Sequence, residues 1–330
     1  MVASSRTAIG KIRMRARYQL TALQIPAQGP TLGRVSGTID ITLGHSPDPD
    51  DAFMWWPLFG VDGGAPAIGE PGLRFVQVCD DIETLNRRSA GPADALLDVT
   101  AMSCANLPMV GDRYALTACG SSVGDGYGPK LVARTPMTFD QLRDPSCVIA
   151  VPGRRTTSFL ALSLMLGPGS FRFEEVPFDQ LMERVADGTY RAGVVIHEGQ
   201  LLFGQHGLHL VQDLGAWWNT HTGLPLPLGV NAVRRDLDAR HGAGTQRRVN
   251  RLLMASIEHA MAHREQGVAY ALRFARGMEA SLAGTFVDLY VNRWTLDCGP
   301  RGREAVDRLL SEAAAAGLSP PAPREVFVSA

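Results

Sequence analysis

Apolar and polar positions along this chain switch repeatedly between two periods. Short apolar runs of strand character stand at Ile39, Ile41 and Leu43 and at residues 74–79, 97–103, 114–118, 130–134, 148–151, 171–176, 192–196 and 231–233. Between them, helical spacing follows Asp48, surrounds Ile82, Leu85 and Asn86, and fills residues 157–166 and 178–186. From residue 245 to about 316 the pattern is mostly helical, with Leu252, Leu253, Ile257 and Met261 on one stripe. Strand and helix in alternation predict an α/β fold with mostly parallel strands. Two stretches break the rhythm: the Gly- and Ser-rich segment 119–129 and the proline-rich tract Leu224-Pro225-Leu226-Pro227-Leu228-Gly229. Each reads as a crossing between lobes. The expected plan is therefore a discontinuous first lobe (38–132 with 228–330), a second lobe (133–227), and a ligand cleft between them. Residues 1–37 carry six basic and no acidic side chains without apolar periodicity. They read as a disordered extension, and no secretory apolar segment is evident within them.

Composition narrows the function classes. With 330 residues, 45% of them hydrophobic, the chain can bury one large core or two moderate ones. A net charge of -1 gives no electrostatic case for nucleic acid. No apolar run reaches the ~20 residues that cross a bilayer. Five cysteines without a C-x-x-C pair suit a reducing compartment, so a cytoplasmic location is expected and each cysteine reads as a small buried residue. No H-E-x-x-H or comparable ligand set appears, and no metal is expected.

Candidate chemistry begins at Ser46-Pro47-Asp48-Pro49-Asp50-Asp51. Asp48 suits an N-cap, Pro49 the first helical position, and Asp50 and Asp51 the first turn beside the positive end of the helix dipole. Capping alone accounts for all three aspartates; ligand contact by at least one is the alternative. Thr156, Thr157 and Ser158 open a helix after Pro152-Gly153, where hydroxyls and free amides can hold a carboxylate, with Arg154 and Arg155 nearby. His197 ends an apolar strand, at the sheet edge that faces clefts in α/β folds, and a neutral imidazole there can accept a proton. A structural histidine fits the same position. Glu198 follows directly and, if the strand continues, points to the opposite face, as a helix cap or lobe-fixing group. His45 adjoins the opening tract and is a candidate for the cleft lining. Gly124, Gly126 and Gly128 around Tyr127 permit an irregular crossing or a close backbone approach to a ligand. The pair Trp217-Trp218 reads as lobe packing or as a wall for an aromatic ring.

Several segments together resemble the 1,4-dihydroxy-6-naphthoate synthase family of the futalosine route to menaquinone: the opening tract, Asp81-Ile82-Glu83-Thr84-Leu85-Asn86, Gly124-Asp125-Gly126-Tyr127-Gly128-Pro129, Val151-Pro152-Gly153 with Thr156-Thr157, and Val195-Ile196-His197-Glu198-Gly199. The resemblance runs in order over residues 38–328. It implies a two-lobed fold like that of periplasmic binding proteins and a lyase without cofactor. It also implies His197 as general base and a small aromatic carboxylate as partner, with a homodimer left open. Ala101-Met102-Ser103 matches the segment where the family contacts substrate. The candidate binding residues are thus Ser46, Asp48, Asp51, Ala101, Met102, Ser103, Thr157 and Ser158. One departure stands out: many members carry Ser-Pro-Cys-Pro-Asn-Asp at the opening tract. A chorismate-dehydrating enzyme of the same pathway and a solute-binding protein of the same fold are the competing readings.

Overall fold

The computed structural model describes residues 37–274 and 279–328, so the basic segment 1–37 lies outside the described residues except for its last position. The apolar runs become strands β1 (Ile39–His45), β2 (Leu73–Cys79), β3 (Val99–Ser103), β4 (Tyr114–Leu116), β5 (Ser122–Gly124), β6 (Lys130–Ala133), β7 (Val148–Val151), β8 (Arg172–Glu175), β9 (Ala192–Val195), β10 (His209–Asp213) and β11 (Leu226–Arg234). They form two sheets, in the orders β2-β1-β3-β11-β4, with β5 also on β11, and β10-β6-β9-β7-β8. Each sheet is the centre of one lobe of a two-lobed α/β fold.

Both sheets are mixed, and the mixture follows from how the chain travels. The pairs β1/β2, β1/β3, β7/β8 and β7/β9 are parallel, as helical crossovers require. Strands at the crossings, β6 and β11, pair antiparallel with their neighbours because they enter their sheets from the other lobe. The proline-rich tract is not a bare connection: β11 starts at Leu226 and pairs Pro227 with Val123 of the short β5. A register shift between Pro227 and Gly229 accommodates the missing proline N–H, the kind of irregularity at which sheets tolerate proline.

Helices α1 (Pro49–Trp55), α2 (Ile82–Ser89), α3 (Phe139–Arg143), α4 (Thr157–Leu166), α5 (Phe178–Ala186), α6 (Gly199–Leu202) and α7 (Leu214–Thr222) cover these sheets. Ile41, Leu43, Phe53 and Trp55 pack with Leu253 and Ile257 of the helix Thr245–Ala262 in the first lobe. In the second, Val132, Ala150, Leu181 and Val185 seal one face of the sheet. A third cluster joins Met102, Leu131, Ile149 and Trp218 to Leu309 and Leu310 of the helix Gly299–Ala315, so apolar burial also ties the lobes together. The crossing at 124–129 packs backbone on backbone: a Cβ at Gly215 would stand 1.9 Å from the Tyr127 carbonyl oxygen. Trp218 is fully buried and donates its indole N–H to the Pro225 carbonyl (3.1 Å), while Trp217 stacks on His221 at 5.3 Å. The tryptophan pair is packing, away from the cleft. Four cysteines are buried as expected; Cys79, at the end of β2, is half-exposed. Among the described residues no helix is long and apolar enough to cross a membrane.

Candidate active site

The C-terminal ends of the parallel strands β1, β3, β7 and β9 converge on a cavity between the lobes. That is the edge where open α/β sheets hold ligands. Lobe 1 contributes Ser46 and Asp48 from the β1–α1 turn, Asp50 and Asp51 from the first turn of α1, Ala101 and Ser103 from β3, Ser122 from β5, Asn231 from β11, and Phe286 and Tyr290. Lobe 2 contributes Thr156, Thr157, Ser158, Ile196, His197 and Gln200.

Asp48 stands at the N-cap of α1 and Pro49 at its first position, yet the Asp48 side chain makes no capping bond. It crosses the cleft instead, with Oδ2 2.5 Å from Nδ1 of His197. The capping account of Asp48 is overturned because a buried imidazole competes better for that carboxylate than a backbone amide does. The expected strand geometry at His197 is also corrected. Strand β9 ends at Val195, and His197 has φ +54°, a left-handed conformation that only Asp62 shares among the described non-glycine residues. Glu198 holds the N-cap position of α6 without a side-chain bond, so neither alternation nor capping describes it. Gln200 secures the turn: its amide lies 2.6 Å from Tyr290 Oη. Turned to satisfy both ends, that amide donates to the Gly128 carbonyl (2.6 Å) and accepts from the His197 backbone N–H (3.3 Å). The Phe178 ring meets the imidazole edge-on at 4.6 Å.

With Nδ1 donating to Asp48, Nε2 is the basic ring nitrogen. Burial works against the charged imidazole. The carboxylate of Asp48, followed by Glu198 and Asp50, outweighs it, and the pKa of His197 is raised above the ordinary value. The arrangement can take up a proton and hold it.

The remaining candidates divide by where their side chains go. Ala101 and Ser103 line the cavity, whereas Met102 between them is fully buried in the apolar cluster that joins the lobes. Period-two alternation in β3 sends it to the opposite face, which removes Met102 from the binding set. Ser103 is fixed by Asn86, which accepts from its backbone N–H (2.8 Å) and donates to its Oγ (3.0 Å), so the hydroxyl hydrogen is left to donate elsewhere. Thr156 is the true N-cap of α4, accepting from the Phe159 N–H (3.2 Å). Thr157 lines the cavity, but its hydroxyl donates to the Leu228 carbonyl (2.8 Å) and accepts from the Ala105 N–H (3.2 Å). Ser158 Oγ lies 2.9 Å from Thr156 Oγ. The first amides of α4, at Thr157 and Ser158, are those a helix leaves without internal partners. Ser46 braces the turn, giving its N–H to Asp51 (2.8 Å) and accepting from the Asp48 N–H (3.2 Å).

Neither Arg154 nor Arg155 lines the cavity. Arg154 pairs with Glu175 (3.0 Å), and Arg155 donates to Asn106 (3.0 Å). Arg87 links Glu83 of lobe 1 to Glu175 of lobe 2 at 3.0 and 2.5 Å, so these arginines latch the rim. The glycines of 124–128 serve the crossing and do not line the cavity. His45 also lies outside the lining, held by the Ser46 carbonyl (2.6 Å) and Gln77 (2.7 Å), and burial lowers its pKa to about 4. A neutral buried histidine contributes stability that is fully present above about pH 6.5 and lost as pH falls toward 4. His45→Gln is expected to flatten that loss, read as the urea midpoint at the two ends of the window. An unchanged slope would contradict the assignment.

Sequence reasoning did not find the Asp48–His197 pair, nor Ser122, Gln200, Asn231, Phe286 and Tyr290, and it left open which aspartate of the opening tract reaches the ligand site. Gln200 adjoins a recognised motif; the others are brought in by the fold alone.

Residues 41–315 match the model of a protein family described as Menaquinone biosynthesis. The chain belongs to that family. A curated relative from Thermus thermophilus, named 1,4-dihydroxy-6-naphthoate synthase, is 39% identical over 289 residues, covering 87% of this chain and 99% of its own. One from Streptomyces coelicolor bears the same name at 35% identity, covering 85% and 95%. A crystal structure of an Archaeoglobus fulgidus protein superposes with a TM-score of 0.75 at 36% identity, covering 84% and 98%. The ligand-binding component of an ABC-type import system from Staphylococcus aureus shares the fold, with a TM-score of 0.61 at 14% identity, covering 88% and 96%. This family member is on that footing an enzyme of menaquinone biosynthesis with a periplasmic-binding-protein fold.

Proposed function

We propose that this enzyme is a lyase that converts cyclic dehypoxanthine futalosine to 1,4-dihydroxy-6-naphthoate without a cofactor, with His197 as general base. The observation that carries the reading is the buried His197–Asp48 pair, 2.5 Å apart, in a cavity formed by both lobes. Nε2 of His197 removes a proton, the ring system aromatises, and the sugar-derived fragment leaves. Asp48 holds the imidazole in the useful tautomer and stabilises the cation it becomes. Among the described residues lining the cavity there is no lysine or arginine. A substrate carboxylate is therefore met by neutral donors, for which the Ser103 hydroxyl and the first amides of α4 are suited. Closure of the lobes keeps water from the reacting carbon.

The chorismate-dehydrating reading gives the histidine base no task, so the His197–Asp48 pair disfavours it. Purified protein offered cyclic dehypoxanthine futalosine and, separately, chorismate tests the choice by chromatography. Naphthoate from the first and no loss of the second is expected. Consumption of chorismate alone would replace the proposal.

A further inference from the structure

The proposed reaction, on which this inference rests, removes a proton from the part of the substrate that is kept and lets another part depart, so it requires an acid as well as a base. His197 suits only the first task. Asp48 stabilises the imidazolium, which makes that proton hard to return. On the facing wall, α1 presents two further carboxyls to the same cavity, Asp50 and Asp51, only 6% and 7% exposed. Their hydrogen bonds come from neutral donors: Ser122 Oγ to Asp50 (2.6 Å) and the Ser46 N–H to Asp51 (2.8 Å). Two buried carboxyls on consecutive residues, each bonded to neutral donors, resist being ionised together, because each charge opposes the other in a medium that solvates neither well.

We propose that the two carboxyls of Asp50 and Asp51 together carry one proton in the free enzyme and deliver it to the departing fragment. The bond to that fragment breaks with its electron pair staying on the fragment, which takes the proton from the pair. The bond to hydrogen on the retained part breaks with its proton going to Nε2 of His197 and its electrons forming the new π bond. One proton leaves the enzyme and one arrives, so the step balances without a co-reactant. Proton exchange with solvent then resets both groups.

The titratable groups around the pair agree with this division. Burial first, then the Asp48 charge, raises the pKa of Asp50; burial, then Asp50 and Asp48, raises that of Asp51 further. Besides Asp48 and His197, the groups facing the pair are Tyr290, kept protonated by burial, and His45 behind the turn, kept neutral by burial. The arginines on helices packed against α1 are engaged elsewhere, Arg264 with Asp288 and Arg248 and Arg251 with Glu70. A base and an acid on facing walls, with environments that set them to opposite tasks, is the arrangement acid–base enzymes use.

The test uses the full chain as wild type, Asp50→Asn and Asp51→Asn. Folded wild type keeps a proton that the unfolded chain releases above about pH 4, so its thermal midpoint should fall relative to both variants as pH rises from there toward neutrality. Removing one carboxyl lets the other ionise more easily. The alkaline limb of the kcat–pH profile should therefore move to lower pH in both variants, with kcat at pH 8 down by about 100-fold. A limb that stays in place in both variants, with wild type turning over the futalosine substrate, overturns the acid role alone. No turnover by wild type overturns the parent reading and this one with it. Should one variant fail to fold, the other carries both measurements.

Discussion

His197→Ala is expected to slow formation of 1,4-dihydroxy-6-naphthoate by about 10²- to 10⁴-fold, the range for loss of a positioned general base. The loss should lie in kcat, with KM nearly unchanged, because Nε2 acts on the reacting proton and substrate binding falls to other groups, Ser103 and the start of α4 among them. One structural point bears on the control. His197 occupies a left-handed backbone conformation, φ +54°, which alanine tolerates poorly. Asparagine accepts that region more readily, so His197→Asn should fold at least as well as the alanine variant and be equally inactive. A variant that folds and turns over within threefold of wild type removes His197 from the reaction.

Asp48→Asn is the second large effect, and its sign is specific. In the wild type the base must be neutral to accept a proton, so activity rises as pH climbs through the raised pKa of His197. Asparagine leaves the shape of the turn but removes the charge that offsets burial. Burial, the largest single influence on the ring, is then opposed only by the lesser charges of Glu198 and Asp50 and drives the imidazole pKa down. The acid limb of the pH–rate profile should move to lower pH, while the plateau drops by about 10²- to 10⁴-fold because the base is weaker and its tautomer is no longer fixed. A mere structural role for Asp48 would lower the plateau without moving the limb.

The departure in the opening tract acquires a physical meaning in this light. Where many family members have cysteine and asparagine, this chain has Asp48 and Asp50, and both aspartates enter the cavity. The first raises the affinity of His197 for a proton. The second brings a further carboxyl beside Asp51. The substitutions therefore alter the proton economy of the site while keeping the proline-braced turn that positions it.

What could be read from the chain was local. The start of α1 followed from Pro49, the span of α4 from its apolar run and the hydroxyl residue before it, and the sheet-edge position of His197 from the apolar strand ahead of it. Met102 entered the binding set through the resemblance of its segment, although alternation in β3 sets it opposite Ala101 and Ser103. The partner of Asp48 was not legible, because α1 and the β9–α6 turn meet only once both lobes are assembled. Tyr290 and Asn231 reach the cavity for the same reason, from elements far along the chain. The mixed sheets escaped because the direction of a crossing strand depends on which lobe it leaves, and no local periodicity records that. Strand β11 was shortened in the reading because prolines in sequence signal a break, whereas pairing with a short strand across a bulge lets Pro227 stay in the sheet.

The most direct test of the central claim needs no substrate: an NMR titration of the His197 imidazole in wild type and in Asp48→Asn. The account predicts a midpoint above the ordinary value of about 6.5 in the wild type and one below it in the variant. A wild-type midpoint below the ordinary value, or the same midpoint in both proteins, would contradict a base held and tuned by Asp48 across the cleft.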